Sequence, residues 1–149
     1  MPHMHQKTIL LVEDNPDDAE LTLRAFRKNQ IANRIELAVN GPEALSFLHS
    51  QSNGAYSNQL PEVMLLDLKL PMMDGLEVLQ TVRAHPRTRH LPVVILTSSK
   101  EEKDLVSSYQ FGANSYVRKP VSFHEFTEAA RELGLYWLLW NETVHEGTP

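Results

Sequence analysis

Three stretches of the chain are apolar without interruption: Ile9-Leu10-Leu11-Val12, Val63-Met64-Leu65-Leu66 and Val93-Val94-Ile95-Leu96. Unbroken runs of this length predict parallel β-strands covered on both faces, because a strand with one wet face alternates instead. Two further segments differ. Arg34-Ile35-Glu36-Leu37-Ala38-Val39 does alternate, and Asn114-Ser115-Tyr116-Val117-Arg118 is short and half polar. Both suit the edges of a sheet, where one face or side meets water. The pattern predicts three central and two edge strands.

Helical periodicity fills the intervals. Asn15-Pro16-Asp17-Asp18 supplies a cap, a first-turn proline and acidic residues, and Ala19, Leu23 and Phe26 then share one face. Gly41-Pro42 opens a second helix with Ala44, Leu45 and Leu48 inward, and Asp74 opens a third carrying Leu76, Leu79 and Val82. Ser99-Lys100-Glu101-Glu102 and Ser122-Phe123-His124-Glu125 fit the capping box and start a fourth and a fifth helix. Strand and helix alternate five times, which predicts an α/β fold with a parallel sheet and right-handed crossovers.

In such a sheet the functional site lies beyond the carboxyl ends of the strands. The strand ends read Glu13-Asp14, Val39-Asn40, Asp67, Thr97-Ser98 and Lys119-Pro120. Acid, acid, hydroxyl and amine therefore converge on one sheet edge.

Composition narrows the classes. The 149 residues suit one domain, and 42% hydrophobic with 22% charged residues is ordinary for a globular chain. A net charge of −5 with no basic stripe argues against nucleic acid as a partner. The absence of cysteine excludes disulfides, thiolate metal sites and thiol nucleophiles. Neither a signal peptide nor a spanning apolar run is evident, so no membrane is expected as a partner and the expected location is cytoplasmic. Residues 7–140 form the expected domain, with 1–6 and 141–149 as flexible tails.

Three carboxylates at one point repel one another, and a cation is the usual remedy. All-oxygen ligation suits Mg²⁺ or Mn²⁺ rather than zinc or copper. Lys119 adds a second positive charge and Thr97 a directional hydroxyl. A carboxylate is itself a competent nucleophile toward phosphorus. Phosphoryl transfer asks mainly for positioning and charge stabilisation, which a metal and a lysine provide.

These residues resemble the receiver domains of two-component response regulators. The resemblance spans roughly Lys7 to Trp140. It rests on Val12-Glu13-Asp14, on Asp67 with Leu70-Pro71-Met72-Met73-Asp74-Gly75, on Thr97-Ser98, and on Gly112-Ala113-Asn114-Ser115-Tyr116-Val117-Arg118-Lys119-Pro120. It implies a flavodoxin-like (βα)5 three-layer sandwich with parallel strand order 2-1-3-4-5. It implies that Asp67 is the phosphoacceptor, and that Glu13, Asp14, Asp67 and the backbone carbonyl of Lys69 hold Mg²⁺ or Mn²⁺. Thr97, Ser98 and Lys119 would hold the phosphoryl oxygens, Tyr116 would follow Thr97 inward as the switch, and Pro120 would follow a cis peptide bond. Phosphorylation would replace one negative charge on Asp67 with about two. The product would be a switch rather than an enzyme, with self-catalysed phosphotransfer and slow autodephosphorylation only.

Two rival classes fit the residues less well. An aspartyl-phosphate phosphatase usually carries a second Asp two positions after its nucleophile, where this chain has Lys69. A phosphorylation-independent binding module would not need the full acceptor set. The chain has no Gly-x-Gly-x-x-Gly, P-loop or nucleophile elbow. The seven histidines form no metal-ligand spacing and read as surface or incidental, and Asn141-Glu142-Thr143 reads as a chance glycosylation match.

Output is expected through protein contacts, since no effector domain follows the receiver. Leu133-Gly134-Leu135-Tyr136-Trp137-Leu138-Leu139-Trp140 is apolar all round, and a core face of Phe126, Ala130, Leu133 and Trp137 leaves Tyr136, Leu138 and Leu139 for an interface. This ending and the long loop from Gln51 to Leu60 are similar to stand-alone receivers paired with cyanobacterial phytochrome histidine kinases. That likeness implies a phytochrome-type histidine kinase as phosphodonor and a homodimer through the helix-four to helix-five face.

Overall fold

Each apolar run becomes a central strand: β1 is Thr8–Val12, β5 is Val63–Asp67 and β6 is Val93–Thr97. This computed structural model describes residues 7–28, 33–97, 107, 109–119 and 123–132. The alternating segment forms β2, Arg34–Ala38, and the half-polar segment forms β7, Ser115–Arg118. All ladders among these five strands are parallel, in the order β2-β1-β5-β6-β7. With the small hairpin described below set aside, this is the expected 2-1-3-4-5 order, and β2 and β7 are its edges.

Successive residues of the central strands serve different layers. Ile9, Leu11, Leu65 and Leu96 pack with Ala19 and Phe26 of α1 (Pro16–Lys28), and with Phe126 and Ala129 of the C-terminal helix (Phe123–Glu132). Leu10, Val12, Leu66 and Ile95 pack with Ala44 and Leu48 of α2 (Gly41–His49), and with Val78, Leu79 and Val82 of α3 (Gly75–Ala84). Two covered faces leave no wet side for polar residues, which explains the unbroken apolar runs. The Phe26 and Phe126 rings, with centroids 4.7 Å apart and tilted by 50°, join the two helices of the first layer.

The helix starts follow their local chemistry. Asn15 Oδ1 accepts from the backbone N–H groups of Asp17 and Asp18 at 2.9 and 3.0 Å. Asn40 caps α2 through Glu43, and Asp74 with Glu77 forms a complete capping box on α3.

Two readings change. Within the expected loop from Gln51 to Leu60, β3 (Gln51–Ser52) and β4 (Ala55–Tyr56) form an antiparallel hairpin. Its Asn53-Gly54 turn has φ values of 56° and 80°, the conformation that an Asn-Gly pair favours. The histidines are not all incidental surface groups. The His49 ring stacks on His85 at 3.8 Å, and both of its ring nitrogens are buried.

Among the described residues no helix is long and apolar enough to cross a membrane. The start of the predicted fourth helix, residues 99–106, lies outside the described residues, while Ser107, Tyr109 and Gln110 are helical. Ser98, Pro120, the segment holding Tyr136, Leu138 and Leu139, and both expected tails also lie outside the described residues.

Candidate functional site

Sheet register brings the site together. Val12 pairs with Leu66, Asp67 with Leu96, and Thr97 with Arg118. Parallel strands in this register end almost level, so Glu13, Asp67 and Lys119 emerge side by side although 106 positions separate Glu13 from Lys119. The backbone of Thr97 ends β6 at the same edge.

Local turns then aim the side chains. The Glu13 N–H donates to the Ala38 carbonyl, and Glu13 Oε2 accepts from the Asn15 N–H at 3.2 Å. The residue that caps α1 thus also orients Glu13. After Asp67 the chain folds back sharply, and the Gly75 N–H reaches the Leu68 carbonyl at 3.0 Å. Met72 takes a left-handed φ of 69° in that loop, where its side chain projects into solvent. Asp67 Oδ1 accepts from the Lys69 N–H at 3.2 Å, which leaves Oδ2 facing Lys119.

Lys119 Nζ is the hub. It donates to Glu13 Oε1 at 2.8 Å, to Asp18 Oδ2 at 3.0 Å and to Asp67 Oδ2 at 3.0 Å. An ammonium has three N–H donors, so this arrangement uses all of them. Glu13, Asp67 and Lys119 are nearly sealed from solvent, whereas the Asp18 side chain is 38% exposed. Exposed Asp14 completes a group with Glu13 and Asp67 whose ligand oxygens all lie within 4.8 Å of one another.

The electrostatics follow from burial. Loss of water, opposed by the Lys119 hydrogen bond and reinforced by negative Asp67, pushes the Glu13 carboxyl up to about 7. Burial would push the Lys119 ammonium down, but its hydrogen bonds to Glu13, Asp18 and Asp67 outweigh that and hold it above its ordinary value. One ammonium bonds three carboxylates, and Asp14 stands beside two of them, an excess of negative charge that a hard divalent cation would offset. The donor set, carboxylate oxygen throughout, fits Mg²⁺ or Mn²⁺.

Of the predicted residues, Glu13, Asp14, Asp67 and Lys119 meet, and Lys69 contributes its backbone N–H to Asp67. Tyr116 is half-buried on β7 and packs against the α2–α3 side of the core. From the sequence Asp18 reads only as helix-start chemistry. Its second contact had one available signal, a place in the first turn of the helix that springs from the Glu13-Asp14 strand end.

The family model described as response regulator receiver domain matches residues 9–131. This chain belongs to the response regulator receiver domain family. The receiver is 53% identical to the bacteriophytochrome response regulator AtBRR, over 93% of this chain and 100% of that one, with a TM-score of 0.81. It is 43% identical to the probable methanogenesis regulatory protein FilR2 of Methanothrix harundinacea, over 91% of this receiver and 86% of that protein. Response regulator Rcp1 of Synechocystis sp. is 35% identical over 93% of the receiver and 91% of its own length. The structure of the Mn²⁺-bound form of Rcp1 covers 89% of this chain and 94% of its own, with a TM-score of 0.71.

Proposed function

We propose that this receiver accepts a phosphoryl group on Asp67 from a phosphohistidine of a histidine kinase, and signals through protein–protein contacts. The observation that carries the reading is the buried Asp67 carboxylate at the end of β5, hydrogen-bonded to Lys119 and grouped with Glu13 and Asp14. In the transfer an Asp67 carboxylate oxygen bonds to phosphorus, the phosphorus–nitrogen bond breaks, and the histidine nitrogen keeps the electron pair. Lys119 donates to the negative oxygens that gather there, and the Lys69 N–H holds the carboxylate in place. Glu13, Asp14, Asp67 and the Lys69 carbonyl would hold Mg²⁺ or Mn²⁺, which supplies charge neutralisation and Lewis-acid polarisation of the phosphoryl group. The Mn²⁺-bound form of Rcp1 supports that choice of ion.

Thr97 and Ser98 are the further phosphoryl-binding groups, and Tyr116 is the residue that turns inward when Thr97 moves toward the phosphate. The likeness to AtBRR supports a phytochrome-type kinase as donor. A homodimer through the helix-four to helix-five face, with Tyr136, Leu138 and Leu139 in contact, is the proposed output surface. The chain is a switch, and its only catalysis is phosphorylation of its own Asp67 and slow hydrolysis of the resulting acyl phosphate to inorganic phosphate.

The test is labelling with a small phosphodonor and Mg²⁺, comparing the native chain with Asp67→Asn. Hydroxylamine-labile label on the native chain, absent from Asp67→Asn and abolished by EDTA, is the expected result. Equal label on both proteins would move the acceptor elsewhere.

A further inference from the structure

Lys119 has no spare donor. Its three N–H groups are taken by Glu13, Asp18 and Asp67, so a phosphoryl oxygen can reach Nζ only after one of these bonds breaks. The three partners are not equivalent. Glu13 and Asp67 are shut away from water at 1% and 4% side-chain exposure, and a carboxylate released there would stay desolvated. Asp18, at 38%, is rehydrated as soon as it lets go. Asp18 also stands on α1, outside the group of Glu13, Asp14 and Asp67 that would hold a cation.

We propose that Asp18 is a displaceable partner for Lys119, a positioning residue that competes with the incoming phosphoryl group and so restrains both phosphorylation and retention of the phosphate. This rests on Asp67 being the acceptor. In the resting chain Asp18 keeps the ammonium on the α1 side of the site. During transfer from acetyl phosphate, phosphorus passes from the acetyl oxygen to an Asp67 oxygen and acetate leaves with the electron pair. Lys119 then exchanges its bond to Asp18 for one to a phosphoryl oxygen. After transfer, Asp18 competes to take the lysine back.

Asp17 supplies an internal control. It carries the same charge on the same helical turn, is exposed, and makes no contact with Lys119 in the structure, where its backbone N–H bonds to Asn15. A general effect of negative charge on an anionic donor would act through Asp17 and Asp18 alike.

The experiment measures acyl-phosphate formation on the full chain against acetyl phosphate concentration with Mg²⁺, and then the decay of the isolated acyl phosphate. Native protein, Asp18→Asn, Asp18→Glu and Asp17→Asn are compared. For Asp18→Asn the half-saturating donor concentration should fall and the acyl-phosphate half-life should rise, each about two- to fivefold, as for loss of a partly exposed ion pair. Asp18→Glu, which keeps the charge on a longer arm, should stay near native, and so should Asp17→Asn. An unchanged or slower Asp18→Asn overturns the proposal, as does an Asp17→Asn effect of equal size. If the native chain itself takes no label from acetyl phosphate or from a histidine kinase, the acceptor assignment falls instead, so the two failures are distinguishable.

Discussion

Gly75 is pressed against the backbone of Asp67: a Cβ at position 75 would strike the Asp67 carbonyl oxygen and lie 2.7 Å from Leu68 Cα. The first residue of α3 is thus the surface on which the loop after β5 folds back. Helix propensity alone favours alanine over glycine by about 1 kcal/mol. The close approach reverses that sign, because the obstructing atoms are backbone and cannot rotate aside.

Gly75→Ala is therefore expected to destabilise the chain by about 1–3 kcal/mol, the range for overpacking a tight site. It should also slow phosphorylation by displacing Asp67. Urea denaturation and the labelling assay measure the two effects. A variant as stable as the native chain would show that the loop yields freely.

Lys119→Met removes the only ammonium that bonds Glu13 and Asp67 among the described residues, and leaves two buried carboxylates together. The metal-free variant should lose about 3–5 kcal/mol, as when one partner of a buried ion pair is deleted. Because the acidic group gathers closer negative charge, Mg²⁺ should raise the thermal midpoint of this variant by more than it raises that of the native chain. Equal metal-induced shifts would argue against the shared-charge picture.

A pH effect should come from the opposite end of the sheet. His49 stacks on His85, and burial, with His85 and Arg87 adding to it, holds the His49 imidazole below its ordinary 6.5. His85 Nδ1 accepts the Arg87 N–H at 3.1 Å, which fixes the ring against His49. A base with a depressed folded value is less protonated in the native than in the unfolded chain. The stability it leaves intact above pH 6.5 is accordingly lost as the pH falls below that value. Denaturation between pH 5 and 8 should show this loss, and His49→Phe should flatten the His49 contribution. An unchanged slope in His49→Phe would place the dependence on other groups.

Arg83 ties α3 to two distant loops. Its guanidinium donates to the carbonyls of Gly112, Thr88, Arg89 and Leu91 and to Asn114 Oδ1, while Asn114 Oδ1 also accepts from the Val93 N–H. Lysine cannot reproduce this planar fork. Arg83→Lys should cost about 1–3 kcal/mol in urea denaturation, with little change in phosphorylation, since the contacts lie at the strand starts away from Asp67. A large loss of labelling with native stability would contradict that separation.

Much of this was legible in order along the chain. Unbroken apolar runs announced strands covered on both faces, alternation over residues 34–39 announced an edge, and Asn15, Gly41-Pro42 and Asp74 marked helix starts that the structure keeps. These signals are local: side-chain period and capping depend on neighbours within one or two turns. The Asn53-Gly54 hairpin is an equally local signal, an Asn-Gly pair inside the expected loop from Gln51 to Leu60.

The site divides differently. That Glu13, Asp14, Asp67 and Lys119 would share an edge followed from strand ends and strand order, which a sequence carries through pattern and resemblance. Which groups touch which did not follow. Three carboxylates on one ammonium, the sealing of Glu13 that raises it to about 7, and the recruitment of Asp18 from a helix start all depend on distances across positions far apart in the chain. Desolvation and hydrogen bonding act over a few ångströms in space. The sequence determined which chemical groups were available and at which ends of which elements, and only the packing of those elements decided which groups lose water and which share a proton donor.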